Sequence, residues 1–431
     1  MLKKQNEQSR RKFLKKITSL AMLSSATYFS KAYGANLGLS DVVRIAVIGN
    51  GGMGTRHIEA LAVNPNCQLV ALCDVAKSRY YQALDKVEKL TNKRPESFQD
   101  FRYLLDRDDI DAVFVATPDH WHALLTILFC KAGKDVYVEK PVCVTIQEGR
   151  AMVETANRYG RIVQAGTQQR SMPVFQRAMH LIHSGRLGTI TSARAWVGVN
   201  EWGVGEKVEP IPRGLDWDLW LGPAPYVPFS MERFGGFMGF TDYARGGQLT
   251  NWGIHLMDIV QWGIQQDAPL TIQAGGGSYR VGAGADNYET IEAVLEYPGC
   301  LATWEQRHSN AHENKGYGIA FYGTDAALFV DRSSFIVKNK DGSKSTEFIG
   351  EPERSWANPD HHNNFFDCVR TRCKPAAEIE QGFRSTSAVL IAGIALRCGR
   401  KLVWDAEKEL FTNDDDANRY LTRTYRPPWH L

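Results

Sequence analysis

The sequence predicts an α/β chain in two parts: a doubly wound parallel sheet, then an α/β domain on a mainly antiparallel open sheet. Three observations lead there. Short apolar runs alternate with helix-compatible stretches up to about residue 165, the rhythm of strands joined by crossover helices. Beyond Gly166 the apolar runs follow one another without helices between them, which suits antiparallel neighbours. The 431 residues also exceed what one ordinary core holds, so two lobes are expected.

In chain order, an apolar run over 43–48 reads as a strand, followed by a glycine turn, a helix over 53–63 and a strand over 69–73 ending at Asp74. Strands over 111–116, 135–138 and 162–165 then alternate with helices over 119–131 and 146–158. A helix over 175–183 opens the second part. Strands are expected over 189–199, 270–281, 289–297, 301–307, 317–322 and 335–338, and helices over 249–263, 363–372 and 385–398. The stretch 201–245 is rich in Trp, Phe, Gly and Pro and too long for a plain connection, so it is expected to line a site.

The first 35 residues read differently. Ser9-Arg10-Arg11-Lys12-Phe13-Leu14-Lys15 has the twin-arginine export pattern, the apolar stretch 17–29 is too short and Ser/Thr-rich to span a membrane, and Ala32-Tyr33-Gly34 offers a small-residue cleavage site. Residues 1–35 are therefore expected to be a signal peptide that sends a folded protein to the periplasm, leaving a mature chain with no membrane span. A formal net charge of +3 with 23% charged residues gives no strong field for nucleic acid, so the ligand is expected to be small. The 8 cysteines are scattered without a C-x-x-C pair and read as buried thiols rather than a disulfide framework.

The chemistry starts at Gly49-Asn50-Gly51-Gly52-Met53-Gly54. A G-x-G-x-x-G turn alone means little, but this one follows an apolar strand and opens a helix, whose free N–H groups and dipole receive a pyrophosphate. Asp74 closes the next strand, where a carboxylate accepts ribose hydroxyls and repels a 2′-phosphate, favouring NAD over NADP despite nearby Lys77 and Arg79. Residues 41–165 are thus expected to be an NAD-binding Rossmann domain, and 166–431 a domain for substrate binding and oligomerisation. Glu139-Lys140-Pro141 ends a further parallel strand, the edge at which open α/β sheets bind ligands, so Lys140 is expected to meet the nicotinamide or a substrate hydroxyl.

Together with Ala116-Thr117-Pro118, His122 and the run from Gly246 to Asp258, these motifs resemble the Gfo/Idh/MocA oxidoreductases, essentially along the whole chain from Val42. The resemblance implies a sugar oxidoreductase in which Lys140 and His255 face the nicotinamide and the sugar. It also places Thr117, Pro118 and His122 beside the nicotinamide. Many family members carry Asp four residues before the histidine, whereas this chain has Asn251, one helical turn from His255 and on the same face. Asn251 can orient a hydroxyl but cannot take its proton. His255, with an unperturbed pKa, is then the expected general base and Lys140 the group that polarises the reacting oxygen.

His120 and His122 lack a metal-site spacing and carboxylate neighbours, and His361-His362 precedes a helix, so no metal is expected. Trp196, Trp202, Trp217 and Trp220 suit sugar stacking or ordinary packing, with packing favoured for the last two. An exported enzyme has no obvious soluble nicotinamide pool, so the cofactor is expected to stay bound. Two enzyme readings follow: oxidation of a sugar or glycoside hydroxyl, at C3, or a redox-neutral NAD-dependent glycosidase resembling glycoside hydrolase family 109. A non-catalytic dinucleotide-dependent sugar sensor is a third, disfavoured by the presence of both Lys140 and His255. An open antiparallel sheet of this kind implies a homodimer or homotetramer.

Overall fold

The computed structural model describes residues 42–198, 206–279, 286–307, 315–350 and 358–431. The twin-arginine segment and Trp202 lie outside the described residues. The first strand, β1 (Val43–Ile48), is apolar and mostly β-branched apart from Arg44 and is buried along nearly its whole length. It needs cover on both faces, which crossover helices supply. β2 (Cys67–Cys73), β3 (Glu96–Phe98), β4 (Ala112–Val115), β5 (Asp135–Val138) and β6 (Val163–Ala165) join it in the order β3-β2-β1-β4-β5-β6, every pair parallel. The order reverses between β1 and β4, and the crevice at such a switch point is where open sheets bind ligands.

The glycines of the first turn have separate duties. Gly49 sits at φ +87°, a conformation that disfavours side chains, with the Ala116 carbonyl 2.6 Å from where a Cβ would stand. At Gly54 a Cβ would lie 1.8 Å from the Gly49 carbonyl oxygen, so this glycine seats the helix Gly52–Ala62 on the sheet. The helix expected over 119–131 is a 3₁₀ turn, Asp119–Trp121, leading into a helix His122–Lys131. An amphipathic helix Lys77–Thr91 appears where none was expected. Its Tyr80, Ala83, Leu84 and Val87 face the core, but charged residues dominate the rest.

The second sheet is built from β7 (Ile190–Val197), β8 (Thr271–Gly277), β9 (Thr290–Tyr297), β10 (Cys300–Gln306), β11 (Tyr317–Gly323), β12 (Ala326–Val330), β13 (Ser334–Asn339), β14 (Lys344–Ile349), β15 (Leu402–Asp405) and β16 (Leu410–Phe411). It is mainly antiparallel, with β7 and β10 paired in parallel at its middle. Long helices Gln248–Ile264 and Ile379–Cys398 pack on one face. The other leaves Val294, Leu301 and Val403 between 40% and 50% exposed.

Two features tie the halves together. Arg170, just after β6, forks onto Asp258 of the helix Gln248–Ile264 at 2.9–3.0 Å, with Ser385 donating to the same carboxylate at 2.6 Å. From the stretch expected to line a site, Gly214 accepts the Lys77 N–H and Asp216 donates to the Val75 carbonyl, both at 3.0 Å, and Leu215 bridges to Ala76. Six of the cysteines are buried and Cys398 is half-buried, while Cys373 is exposed and departs from the expected pattern.

Candidate active site

A cleft of about 430 Å³ opens at the switch point. Its floor carries Gly49, Gly51, Gly52 and Met53, its near wall Asp74, and its far end Thr117, Pro118, His122, Glu139, Lys140, Pro141 and Asn251. Most residues predicted for cofactor and catalysis thus converge on one concavity. Three stand off its wall. Gly54 is buried in the helix–sheet contact, Asn50 reaches the site through its backbone, and His255 lies behind the wall at 3% exposure.

A dinucleotide fits what is present. The helix Gly52–Ala62 begins without a side-chain cap and with no acidic residue in its first turn, so its leading N–H groups remain available to a pyrophosphate. Open space surrounds the position a Gly52 Cβ would take, and a Gly51 Cβ would meet only the Arg79 guanidinium at 3.5 Å. The Asp74 carboxylate is fixed by the Asn50 and Ala76 N–H groups at 2.7 and 2.8 Å, keeping lone pairs for hydroxyl donors. Burial raises its pKa, an effect opposed by Arg79 and those two N–H groups. At the far end the Thr117 hydroxyl is buried with no partner among the described residues, ready for a ligand's polar group.

The far end is held by a buried network. His122 lies between the Pro141 carbonyl at 2.7 Å and the Thr117 carbonyl at 2.8 Å, binding the loop after β4 to the loop after β5. Burial lowers its pKa while both carbonyls pull it back. Burial also acts to raise Glu139, but His57 Nε2 at 2.8 Å, the Lys140 charge and the Lys140 N–H at 3.1 Å hold its pKa below the usual carboxylate range. Lys140 Nζ donates to Asn251 Oδ1 at 2.6 Å, and Asn251 Nδ2 donates in turn to Gln248 Oε1 at 2.9 Å, which fixes the amide with its oxygen toward the lysine. Burial pushes the Lys140 pKa down, and Glu139 and Asp119 oppose it.

His255 departs from the unperturbed imidazole expected of it. Burial first, then the Arg332, Lys140 and His361 charges, hold its pKa well below the ordinary range, so it is neutral and a weak base. Its Nδ1 is buried without a partner among the described residues. Arg332, at 2% exposure, lies over the Trp252 ring at 4.9 Å and accounts for part of that field.

The roof comes from the Trp- and Phe-rich stretch. Leu219, Trp220, Phe234, Phe237 and Met238 line the cleft, and Arg79 packs on the Phe234 ring at 4.0 Å. Trp217 stacks on Trp220 at 4.5 Å and Trp196 is buried, so Trp220 alone of these described tryptophans faces the cleft. Asp119, Phe101 and Trp121 also line it and were not anticipated. Asp119 follows Thr117-Pro118 directly, the only sequence signal that points to it.

Family models match both halves. One described as "Oxidoreductase family, NAD-binding Rossmann fold" covers residues 43–167, and one described as "Oxidoreductase family, C-terminal alpha/beta domain" covers 187–431. A glycosyl hydrolase family 109 protein of Shewanella baltica is 36% identical over 122 residues, 27% of this chain and 27% of its own length. The chain therefore spans only about a quarter of that curated relative. Levoglucosan dehydrogenase, solved with NADH and levoglucosan, superposes with a TM-score of 0.65 at 18% identity over 86% of this chain and 99% of that one. Myo-inositol 2-dehydrogenase from Lactobacillus plantarum gives 0.63 at 20% identity over 84% and 99%. At such identities the two structures speak for the fold.

Proposed function

Because this chain belongs to the Gfo/Idh/MocA oxidoreductase family, with an NAD-binding Rossmann domain followed by the family's C-terminal α/β domain, we propose that it oxidises a hydroxyl, at C3, of a sugar or glycoside. The observation that carries this reading is Lys140, its ammonium fixed by Asn251 on the wall of the dinucleotide cleft, beside Thr117, Pro118 and His122. Bound in that cleft, NAD supplies a hydride acceptor. The Lys140 ammonium binds the reacting oxygen and stabilises the negative charge that develops as its proton leaves. Asn251 sets the direction of the ammonium, and neutral His255 backs the wall one helical turn from Asn251. Leu219, Trp220, Phe234 and Phe237 exclude water from the cleft, strengthening each polar contact within it.

The roof also supports a retained cofactor. Phe234, Phe237 and Met238 line the groove and the adjoining chain is pinned to Val75 and Lys77, which supports slow release. Retention agrees with export of the folded protein to the periplasm, as proposed from Arg10-Arg11. A bound cofactor must be restored within the site, either by a second sugar or by the first substrate. The family 109 match favours the latter as a second reading: oxidation at C3 acidifies C2–H, the aglycone leaves, water adds, and the C3 carbonyl is reduced again. The partly apolar outer face of the second sheet supports a homodimer or homotetramer.

Purified protein given a panel of free sugars and chromogenic glycosides of both anomers, without added NAD, separates the readings. Reduced nicotinamide on sugar addition supports the dehydrogenase, and aglycone release without net reduction supports the glycosidase. Neither signal across the panel, in protein shown by mass spectrometry to carry the cofactor, would sink both.

A further inference from the structure

His361 and His362 stand in the first turn of the helix Pro359–Thr371 and are fully buried. His361 serves β6 and the turn after it: its Nε2 donates to the Ala165 carbonyl at 2.9 Å, and its Nδ1 then accepts from the Ser171 hydroxyl at 2.7 Å. His362 reaches further. Its Nε2 lies 2.9 Å from His57 Nδ1, and His57 Nε2 lies 2.8 Å from Glu139 Oε1. The other Glu139 oxygen accepts the Lys140 N–H at 3.1 Å. A continuous hydrogen-bonded chain thus runs from the helix Pro359–Thr371, through the helix Gly52–Ala62 that opens at the glycine turn, to the main chain of Lys140.

The surroundings leave its members little freedom. Phe114 and Tyr137 wall both rings, at 5.7 and 5.3 Å from the His57 centroid and 5.3 and 5.6 Å from that of His362. Glu139 Oε1 lies 2.9 Å from where a Gly166 Cβ would stand, so a glycine there leaves the carboxylate its place. The ionised Glu139 carboxylate only accepts. His57 therefore carries its hydrogen on Nε2, leaving Nδ1 to accept from His362 Nε2. His362 Nδ1 is then a bare lone pair. It is buried without a partner among the described residues, where an unmatched N–H would be the costlier group.

The helix Gly52–Ala62 offers its leading N–H groups to the dinucleotide, while Lys140 at the end of β5 holds the reacting oxygen. These elements are separate, and hydride transfer depends steeply on the distance between what they hold. We infer that His57 and His362 are positioning residues for the oxidation: His57, bonded to Glu139 on one side and His362 on the other, sets the Lys140 turn against the helix that holds the dinucleotide. This rests on the oxidoreductase reading. Neither imidazole lines the cleft, and both act through Glu139, which does. Lys140 is thereby held at both ends, its ammonium by Asn251 at 2.6 Å and its main chain by Glu139.

The test uses the full chain with its bound dinucleotide. Wild type is compared with His57→Leu and with His57→Gln, whose amide nitrogen stands near the place of His57 Nε2 and keeps the donation to Glu139. The measurements are histidine ring tautomers by nitrogen-15 NMR, hydrogen exchange at the Lys140 amide, and single-turnover oxidation against sugar concentration. Wild type is expected to carry its hydrogen on Nε2 of both His57 and His362. His57→Leu is expected to slow the maximal rate by roughly 10- to 10²-fold while the half-saturating sugar concentration stays nearly unchanged. Exchange at the Lys140 amide should quicken by about tenfold in the same variant. His57→Gln should recover most of both. A hydrogen on Nδ1 of His57, or a folded His57→Leu that matches wild type in rate and exchange, overturns the inference. So does a His57→Gln as impaired as His57→Leu, which would reduce the ring to packing. Should His57→Leu fail to fold, His362→Leu against His362→Gln asks the same question, since that glutamine keeps a donor for His57 Nδ1. Tautomers and exchange need no sugar, so their expected pattern in a protein that oxidises none supports the positioning of Lys140 while the sugar-oxidation reading falls.

Discussion

Asn251 gives Lys140 a neutral partner at 2.6 Å, where a carboxylate would give it a counter-ion. A carboxylate there favours the charged ammonium, so Asn251→Asp is expected to move the alkaline limb of the rate profile upward by roughly one pH unit or more. An unchanged limb would show that Lys140 does not set it. Lys140→Met keeps the stem and removes the charge, and is expected to slow turnover by about 10²–10³-fold with the dinucleotide still bound, as measured by single-turnover kinetics and cofactor content. Away from the chemistry, Arg170→Ala leaves the fully buried Asp258 carboxylate without its fork and should cost about 3–5 kcal/mol in denaturant unfolding. These residues differ in how far the sequence reveals them. Lys140 stands in a tripeptide at a strand end, and Asn251 one helical turn from His255, so local pattern suffices. The low proton affinity of His255 depends on Arg332, more than seventy positions away, and on burial that no local pattern reports.

Elements read well where one periodicity dominates and poorly where a distant contact decides. The parallel strands β1, β4 and β5 are nearly continuous apolar runs, and their ends are visible. The helix Ile379–Cys398 begins six residues before its expected start because its cap, Glu378, makes no side-chain capping bond that would mark it. The end of the chain gave no signal, since its partners lie far off in sequence. Arg423 donates to Glu148 at 2.7 Å and to the His120 carbonyl at 2.8 Å, Tyr425 donates to Glu148 at 2.7 Å, and Arg426 holds Asp218 and the Gly222 carbonyl. Trp429 then packs edge-on behind Trp121 at 4.9 Å, and Trp121 is a wall of the cleft. The segment thereby braces both the turn that carries Asp119 and the short helix Trp217–Leu221 of the roof. Deleting residues 422–431 is expected to weaken dinucleotide retention by roughly tenfold, about 1.4 kcal/mol, measured as the release rate on dilution. Release as slow as in the intact chain would show that the roof holds without this brace.

Across the whole molecule, buried imidazoles set how stability responds to acid. Burial pushes His120 down to about 3 and His361 down to about 4, and places His255 and His362 well below the ordinary range. An unfolded chain protonates these side chains near 6.5. Between that pH and the folded values the unfolded state therefore binds more protons, and stability falls as pH falls. Asp119 and Asp74 work the other way, because burial raises both and the folded state keeps their protons where the unfolded chain has lost them. Their contribution is present at low pH and fades as pH rises through the folded values. Five histidines, His122 among them, against two carboxyls leave a net proton uptake on unfolding, each proton adding about 1.4 kcal/mol per pH unit to the slope. The denaturant midpoint is expected to be highest at or above pH 7 and to drop between pH 6.5 and about 4.5. His120→Gln, which keeps a donor for the Trp220 carbonyl that His120 meets at 3.0 Å, should reduce that slope by about one proton. A midpoint that stays level or rises on acidification would mean that the imidazoles acquire protons in the folded protein, and the neutral state of His255 would be lost with them.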